Sequence, residues 1–150
     1  MTQSVRGSFP SFLDRFASED DCIQHVMVVR WPEGPVCPHC GAIGKASHHS
    51  RRKRKLTCNA AGCRRQFSVT DGTALRHTRL PLQAWFRAIH FIEASGGSVK
   101  RMELARHLKI SHHTAQAILD RLPNLRRDVV FKEIFVLAGR DRAKAASDDG

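Results

Sequence analysis

The apolar positions of this chain change period along its length, and the changes divide it into unlike parts. Over residues 80–122 the spacing is helical: Leu82, Trp85, Phe86, Ile89 and Ile92 recur three and four positions apart, which places them on one helix face. Pro81 suits the first turn of that helix, and Gly96-Gly97 should break it. Ser98 is placed to cap a second helix with Val99, Met102, Ala105 and Leu108 inward. After a short turn at Lys109-Ile110, Ser111 is placed to cap a third helix that buries Ala115, Ile118, Leu119 and Leu122. Pro123 is expected to end it.

Over residues 36–78 the helical period disappears. Short strands are expected at residues 43–49 and 53–57, paired around a basic tip, with a third at residues 66–70 before an Asp71-Gly72 turn. Upstream, Ser18 followed by Glu19, Asp20 and Asp21 reads as a capped helix start with negative charge in its first turn. That helix should reach about Arg30, carry Ile23, Val26, Met27 and Arg30 along one side, and stop at Trp31-Pro32-Glu33-Gly34-Pro35. Residues 1–17 read as a loop anchored by Phe9, Phe12 and Phe16. Residues 129–137 are apolar enough for one more short element, and from Arg140 the composition reads as a disordered tail.

The expected fold is therefore small α+β: a helix, a ribbon of short antiparallel strands, then a three-helix helix-turn-helix unit. The corresponding segments are 1–34, 35–79, 80–122 and 123–150. Two short helices joined by a tight turn, the second one capped at its start, fit a unit that sets its second helix against DNA. That helix would show His112, His113, Thr114, Gln116 and Arg121 outward. A three-helix bundle used only for packing or dimerisation gives the same pattern.

Cysteine spacing adds chemistry to the strand region. Cys37-Pro38-His39-Cys40 and Cys58-Asn59-Ala60-Ala61-Gly62-Cys63 are two pairs, with two and four residues between their members. Each pair can bring both thiolates onto one ion by bending a single turn, and two such turns complete a tetrahedron. Four sulfur ligands leave no open position for substrate, so the expected Zn2+ is structural. Iron on the same four thiolates is the competing metal. Gly41 is placed to let a backbone N–H point at sulfur. So small a sheet has little core, and the metal must supply much of its folding free energy. The fifth cysteine, Cys22, falls among apolar neighbours and reads as a small buried hydrophobe. Nothing in the first residues resembles a secretory signal, and a free fifth cysteine suits a reducing cytoplasm better than a disulfide framework. No apolar run approaches membrane-spanning length.

Charge then suggests a partner. Lys and Arg number 25 against 14 Asp and Glu, a formal net charge of +11, a surplus that points to a polyanion, most often nucleic acid. Residues 45–79 carry ten basic side chains and one acidic one, Asp71, whereas residues 1–34 carry three and five. Arg51, Arg52, Lys53, Arg54 and Lys55 would track phosphates, joined by Arg64 and Arg65 from the second cysteine turn. Such contacts give affinity and salt dependence, not sequence choice. A solvated hairpin tip kept soluble by its charge is the plainer reading. His39, His48 and His49 are expected to be spectators or weak phosphate contacts.

Together these segments resemble the N-terminal part of transposases of the IS1595 group of insertion sequences. The resemblance rests on Arg30-Trp31-Pro32-Glu33-Gly34, the Cys37-Pro38-His39-Cys40-Gly41 turn, Cys58 with Cys63, and Phe67-Ser68-Val69-Thr70-Asp71-Gly72-Thr73. It continues through the stretch from Leu80 to Ile89 and Ile110-Ser111-His112-His113-Thr114-Ala115, and covers about residues 12–122. It implies a zinc ribbon and helix-turn-helix that recognise the inverted repeats at element ends, preceding a catalytic domain of RNase H type. Only 28 residues follow Leu122, too few for such a domain, and the family's acidic motif has no match there. Asp128, Glu133 and Asp141 read as solvated charges.

The expectation is a bacterial cytoplasmic, nucleoid-associated protein that binds double-stranded DNA at element ends and is not an enzyme. It would act as a homodimer or beside a partner transposase. The alternatives are a zinc-ribbon and helix-turn-helix transcription regulator, and a protein-interaction module that docks on a full-length transposase.

Overall fold

The computed structural model describes residues 11–149, so the expected anchor Phe9 lies outside the described residues. Where a loop was expected, Phe12–Arg15 form one helical turn, α1, capped by the Ser11 hydroxyl, which accepts from the Asp14 N–H. Phe12 and Phe16 are buried anchors as expected, their ring centroids 4.8 Å apart, and Phe16 stands edge-on to Phe86 at 4.9 Å. Helix α2 (Glu19–Arg30) starts at the expected cap, the Ser18 hydroxyl accepting from the Asp21 N–H at 3.1 Å. It buries Cys22, Ile23 and Val26. At its far end Arg30 lies over the Trp31 ring and donates to the Val69 carbonyl at 2.8 Å, tying the helix to the ribbon.

The ribbon is a three-stranded antiparallel meander, β1 (Ala46–His48), β2 (Lys55–Cys58) and β3 (Gln66–Ser68), with Leu56 between His48 and Phe67 in register. All three strands are shorter or shifted relative to expectation. Ile43 pairs with Val36 inside the first cysteine turn instead of joining β1. Lys53 and Arg54 belong to the tip, and β3 stops where the Asp71 carboxylate takes the Ser68 N–H at 2.8 Å. The sheet's buried side chains are Leu56, Phe67 and Val69 besides the metal-site cysteines, a core too small to hold a fold without help.

Helix α3 (Leu82–Ala94) buries Leu82, Trp85, Phe86, Ile89 and Ile92 as its spacing predicts. It packs on α2, α4 and α6, so it is the centre of the molecule. Pro81 sits at its cap and offers no side-chain bond. The Glu19 carboxylate replaces it, accepting from the N–H groups of Leu82 and Gln83 at 2.9 and 2.8 Å.

Helix α4 (Arg101–Leu108) begins later than expected, with Lys100 rather than Ser98 at its cap and no side-chain capping bond. Gly96 and Gly97, at φ of +94° and +102°, carry the loop on to residue 100. The buried stripe differs from expectation at one position. Leu104 and Ala105 are buried while Met102 is 55% exposed, because residues two apart stand about 200° apart around a helix. Lys109, at φ +58°, makes the left-handed turn into α5.

Helix α5 (His112–Arg127) is capped as expected, Ser111 accepting from the Thr114 N–H at 3.0 Å, and it buries Ala115, Ile118 and Leu122 with Leu119 half-buried. It does not end at Pro123 but runs on to Arg127. A proline inside a helix costs roughly 3 kcal/mol. Burying Leu125 completely opposes that cost, by roughly 1.5–3 kcal/mol. The end is also fixed by Asp128, whose carboxylate accepts from the N–H groups of Ala74 and Val130, at 2.7 and 2.8 Å.

The C-terminal segment also differs from expectation. In place of a short element and a tail, residues Lys132–Asp149 form one helix, α6. Phe131, Ile134, Phe135 and Ala138 are buried, and the helix packs against α3 and α5. Asp141 is not a solvated charge: it accepts from the Phe12 N–H at 2.9 Å and lies 3.4 Å from His90. Asp128, bonded as above, is not one either.

Candidate metal centre and nucleic-acid interface

The sulfurs of Cys37, Cys40, Cys58 and Cys63 all lie within 4.8 Å of one another, with Cys37–Cys63 and Cys40–Cys58 each at 3.7 Å. A tetrahedral zinc with Zn–S bonds of about 2.3 Å would set its sulfurs roughly 3.8 Å apart, so the cluster fits the ion. The local backbone builds it twice over. The residue after the second cysteine of each turn is left-handed, Gly41 at φ +79° and Arg64 at φ +58°. The Gly41 N–H donates to the Cys37 carbonyl at 2.8 Å rather than to sulfur. It is the His39 N–H that donates to the Cys37 sulfur, at 3.3 Å.

Four sulfurs this close cannot all ionise without a cation. Burial opposes the charged form at Cys37, but the N–H groups of Cys40 and His39 and the neighbouring thiols outweigh it and bring that thiol down to about 6. At Cys58 the Ala60 N–H favours the thiolate, yet burial and the other sulfurs win and push it up to about 12. A bound zinc supplies the missing positive charge, and with four sulfur ligands its role is structural.

The basic tip projects from the β1–β2 hairpin and is held by two histidines. His48 Nδ1 lies 2.8 Å from the Lys53 carbonyl, and the Arg51 N–H donates to His49 Nδ1 at 3.2 Å. The sequence reads both as spectators or weak phosphate contacts, because a turn-closing imidazole leaves no mark in composition or spacing. Arg51 and Arg52 are exposed, as are Arg64 and Arg65 on the second cysteine turn. Lys55 is half-buried, and Lys53 pairs with Asp20 at 2.7 Å across an exposed surface. Arg54 differs from its neighbours: its guanidinium donates to the carbonyls of Leu80 and Thr78 at 3.0 and 3.3 Å.

On α5 the first turn is open to solvent, with His112 and His113 exposed. Thr114 shares its hydroxyl with the Ser111 cap at 2.9 Å, and Gln116 donates to Asp120 at 2.8 Å. Arg121 is turned inward, donating to the carbonyls of Ala74 and Arg76 at 3.4 and 3.3 Å. Cys22 is fully buried. Burial, helped by Glu19 and Asp21, pushes its thiol up to about 12.

A four-sulfur ribbon followed by a helix-turn-helix defines a class of small metal-dependent nucleic-acid-binding units. Comparison with known proteins bears this out. Residues 17–66 match the transposase zinc-ribbon domain of IS1595 type, and residues 80–124 match the MarR family, here the helix-turn-helix part of the chain. The chain is 27% identical over 145 residues to an uncharacterized protein in transposable element ISH50 of Halobacterium salinarum. That alignment covers 90% of this chain and 49% of the relative, so the chain spans about half the relative's length. No solved structure matches it. The IS1595-type transposase match thus covers the ribbon and a different family matches the helix-turn-helix segment, and together with the relative from a transposable element they support a transposase-related role in DNA binding. No helix among the described residues is long and apolar enough to cross a membrane.

Proposed function

We propose that this chain is a zinc-dependent DNA-binding protein derived from a transposase, recognising the terminal repeats of a mobile element without cutting them. The observation that carries the reading is the join between the two matched segments. Arg54 of the ribbon and Arg121 of α5 grip the same connecting loop, so phosphate contacts and base contacts would be presented in one fixed geometry. His112, His113, Thr114 and Gln116, at the start of α5, would meet base edges in the major groove. Arg51, Arg52, Lys53, Lys55, Arg64 and Arg65 would hold phosphates, with Arg54 and Arg121 positioning the loop between.

Binding without cutting is supported by two of the three late carboxylates named above, Glu133 being exposed. Asp128 and Asp141 are occupied by backbone N–H groups, as structural acceptors rather than metal-facing acids. Paired element ends would suit a homodimer or an assembly with a full-length transposase. The test is footprinting of the zinc-loaded chain on inverted repeats flanking its gene and on unrelated promoters, with magnesium or manganese present. Protection confined to the repeats with strands intact is expected. Strand cleavage, or protection of promoters alone, would overturn the proposal.

A further inference from the structure

Residues 67–79 fall between the two matched segments, 17–66 and 80–124. After β3 they form a connecting loop that is fastened along its length. Arg121 holds the carbonyls of Ala74 and Arg76, and Arg54 holds those of Thr78 and Leu80. Asp128 takes the Ala74 N–H, and the Trp85 indole N–H donates to the Thr78 hydroxyl at 3.0 Å. The loop is therefore a rigid coupler between ribbon, α3 and α5. Apart from Gly72, its exposed residues are Arg76, His77 and Arg79. Among the described residues no ion pair engages Arg51, Arg52, Arg76 or Arg79.

Between the hairpin tip and this loop lies an open groove of about 810 Å³, with Arg51, Arg52, Lys53 and Lys55 facing His77 and Arg79. Three acids reach its lining, and each is already engaged. Glu19 caps α3, Asp20 pairs with Lys53, and Asp71 accepts from the Ser68 N–H. The Asp20–Lys53 pair is more than half exposed and so is worth little in water, leaving Lys53 available to a stronger anion. Small-molecule sites are mostly apolar and enclosed, whereas this groove is open and cationic.

We infer that the groove seats the phosphate backbone of duplex DNA, and that His77 and Arg79, which line it, and Arg76, exposed beside them on the same loop, are phosphate contacts joining the ribbon's footprint to that of α5. The inference rests on the DNA-binding reading above and adds a contact surface to it. The spacing agrees. Nine residues separate His112 from Arg121, about 14 Å at 1.5 Å per residue. The major groove is about 12 Å wide. With the start of α5 at base edges, Arg121 and the loop it holds would reach the phosphates bordering that groove.

The test is anisotropy titration of the full, zinc-loaded chain against a short duplex at salt concentrations between about 50 and 200 mM. Each phosphate contact contributes about 0.9 to the slope of log K against log salt. Arg76→Ala with Arg79→Ala should therefore lower the slope by nearly two, as should Arg51→Ala with Arg52→Ala. Arg76→Lys with Arg79→Lys should keep the wild-type slope. Zinc content and thermal midpoint should stay unchanged in all three. If the tip variant loses slope and the loop variant does not, the inference fails and the DNA reading stands. If the wild-type chain binds no duplex, the DNA reading fails and takes the inference with it. Tighter binding to a single strand than to duplex would overturn the duplex assignment.

Discussion

The Glu19 carboxylate, in the first turn of α2, caps α3 across 63 residues of sequence by accepting from the Leu82 N–H at 2.9 Å and the Gln83 N–H at 2.8 Å. One side chain thereby serves two helix starts: it adds negative charge to the first turn of its own helix and satisfies orphan donors of another. Glu19→Ala should destabilise the zinc-loaded protein by about 1–2 kcal/mol, the scale of a lost cap, and Glu19→Gln by less. Urea unfolding followed by circular dichroism reads both. An Ala variant with the wild-type midpoint would show that water replaces the carboxylate at no cost.

His25 supplies a pH dependence. Its buried Nε2 has no partner among the described residues, and its ring stands edge-on to Phe16 at 5.1 Å. Burial lowers its pKa below the ordinary 6.5, with Arg15 adding to the effect and Glu133 opposing it. The folded protein thus keeps His25 neutral where the unfolded chain takes up a proton. Between the unfolded and folded values the unfolded state binds more protons, so stability rises with pH. The contribution is complete above about 6.5 and is lost as pH falls through the folded value. His25→Phe should remove this part of the slope, measured as the difference between the two proteins' unfolding free energies from neutral to mildly acid pH. Parallel curves would contradict it.

The five cysteines should divide into four and one. In the zinc-loaded protein none should react with iodoacetamide. After chelation Cys37, Cys40, Cys58 and Cys63 should be alkylated, because the ribbon's core cannot hold it closed without the metal. Cys22 should stay unmodified while the helices remain folded, since its thiol is fully buried and pushed up to about 12, and the thiolate is the reactive form. Mass spectrometry counts the modifications. Five on chelation would mean that the ribbon and the helices unfold together.

What was legible in the sequence was whatever local rules decide. Ser18 and Ser111 cap helices because a hydroxyl just before a helix reaches only its own first turn. The four cysteines converge because their spacing alone dictates two metal turns. What escaped were the contacts between distant segments. Nothing near Glu19 in sequence says that it caps α3, and nothing near Arg54 or Arg121 says that carbonyls of one loop await them. Both arginines looked like free cations for that reason. Pro123 was read by a local rule that burial of Leu125 overrides. Met102 was grouped with Ala105 on one face, but Leu104, about 200° around the helix from Met102, takes the buried place beside Ala105 instead.

In the proposed function the start of α5 reads DNA sequence while zinc holds the ribbon beside it. Selection of the zinc-loaded chain on a randomised duplex pool tests it most directly. One enriched motif is expected, lost on chelation and lost when His112, His113 and Gln116 are changed to Ala, with residual binding that depends only on salt. A pool that enriches nothing, or a motif that survives those three changes, would contradict it.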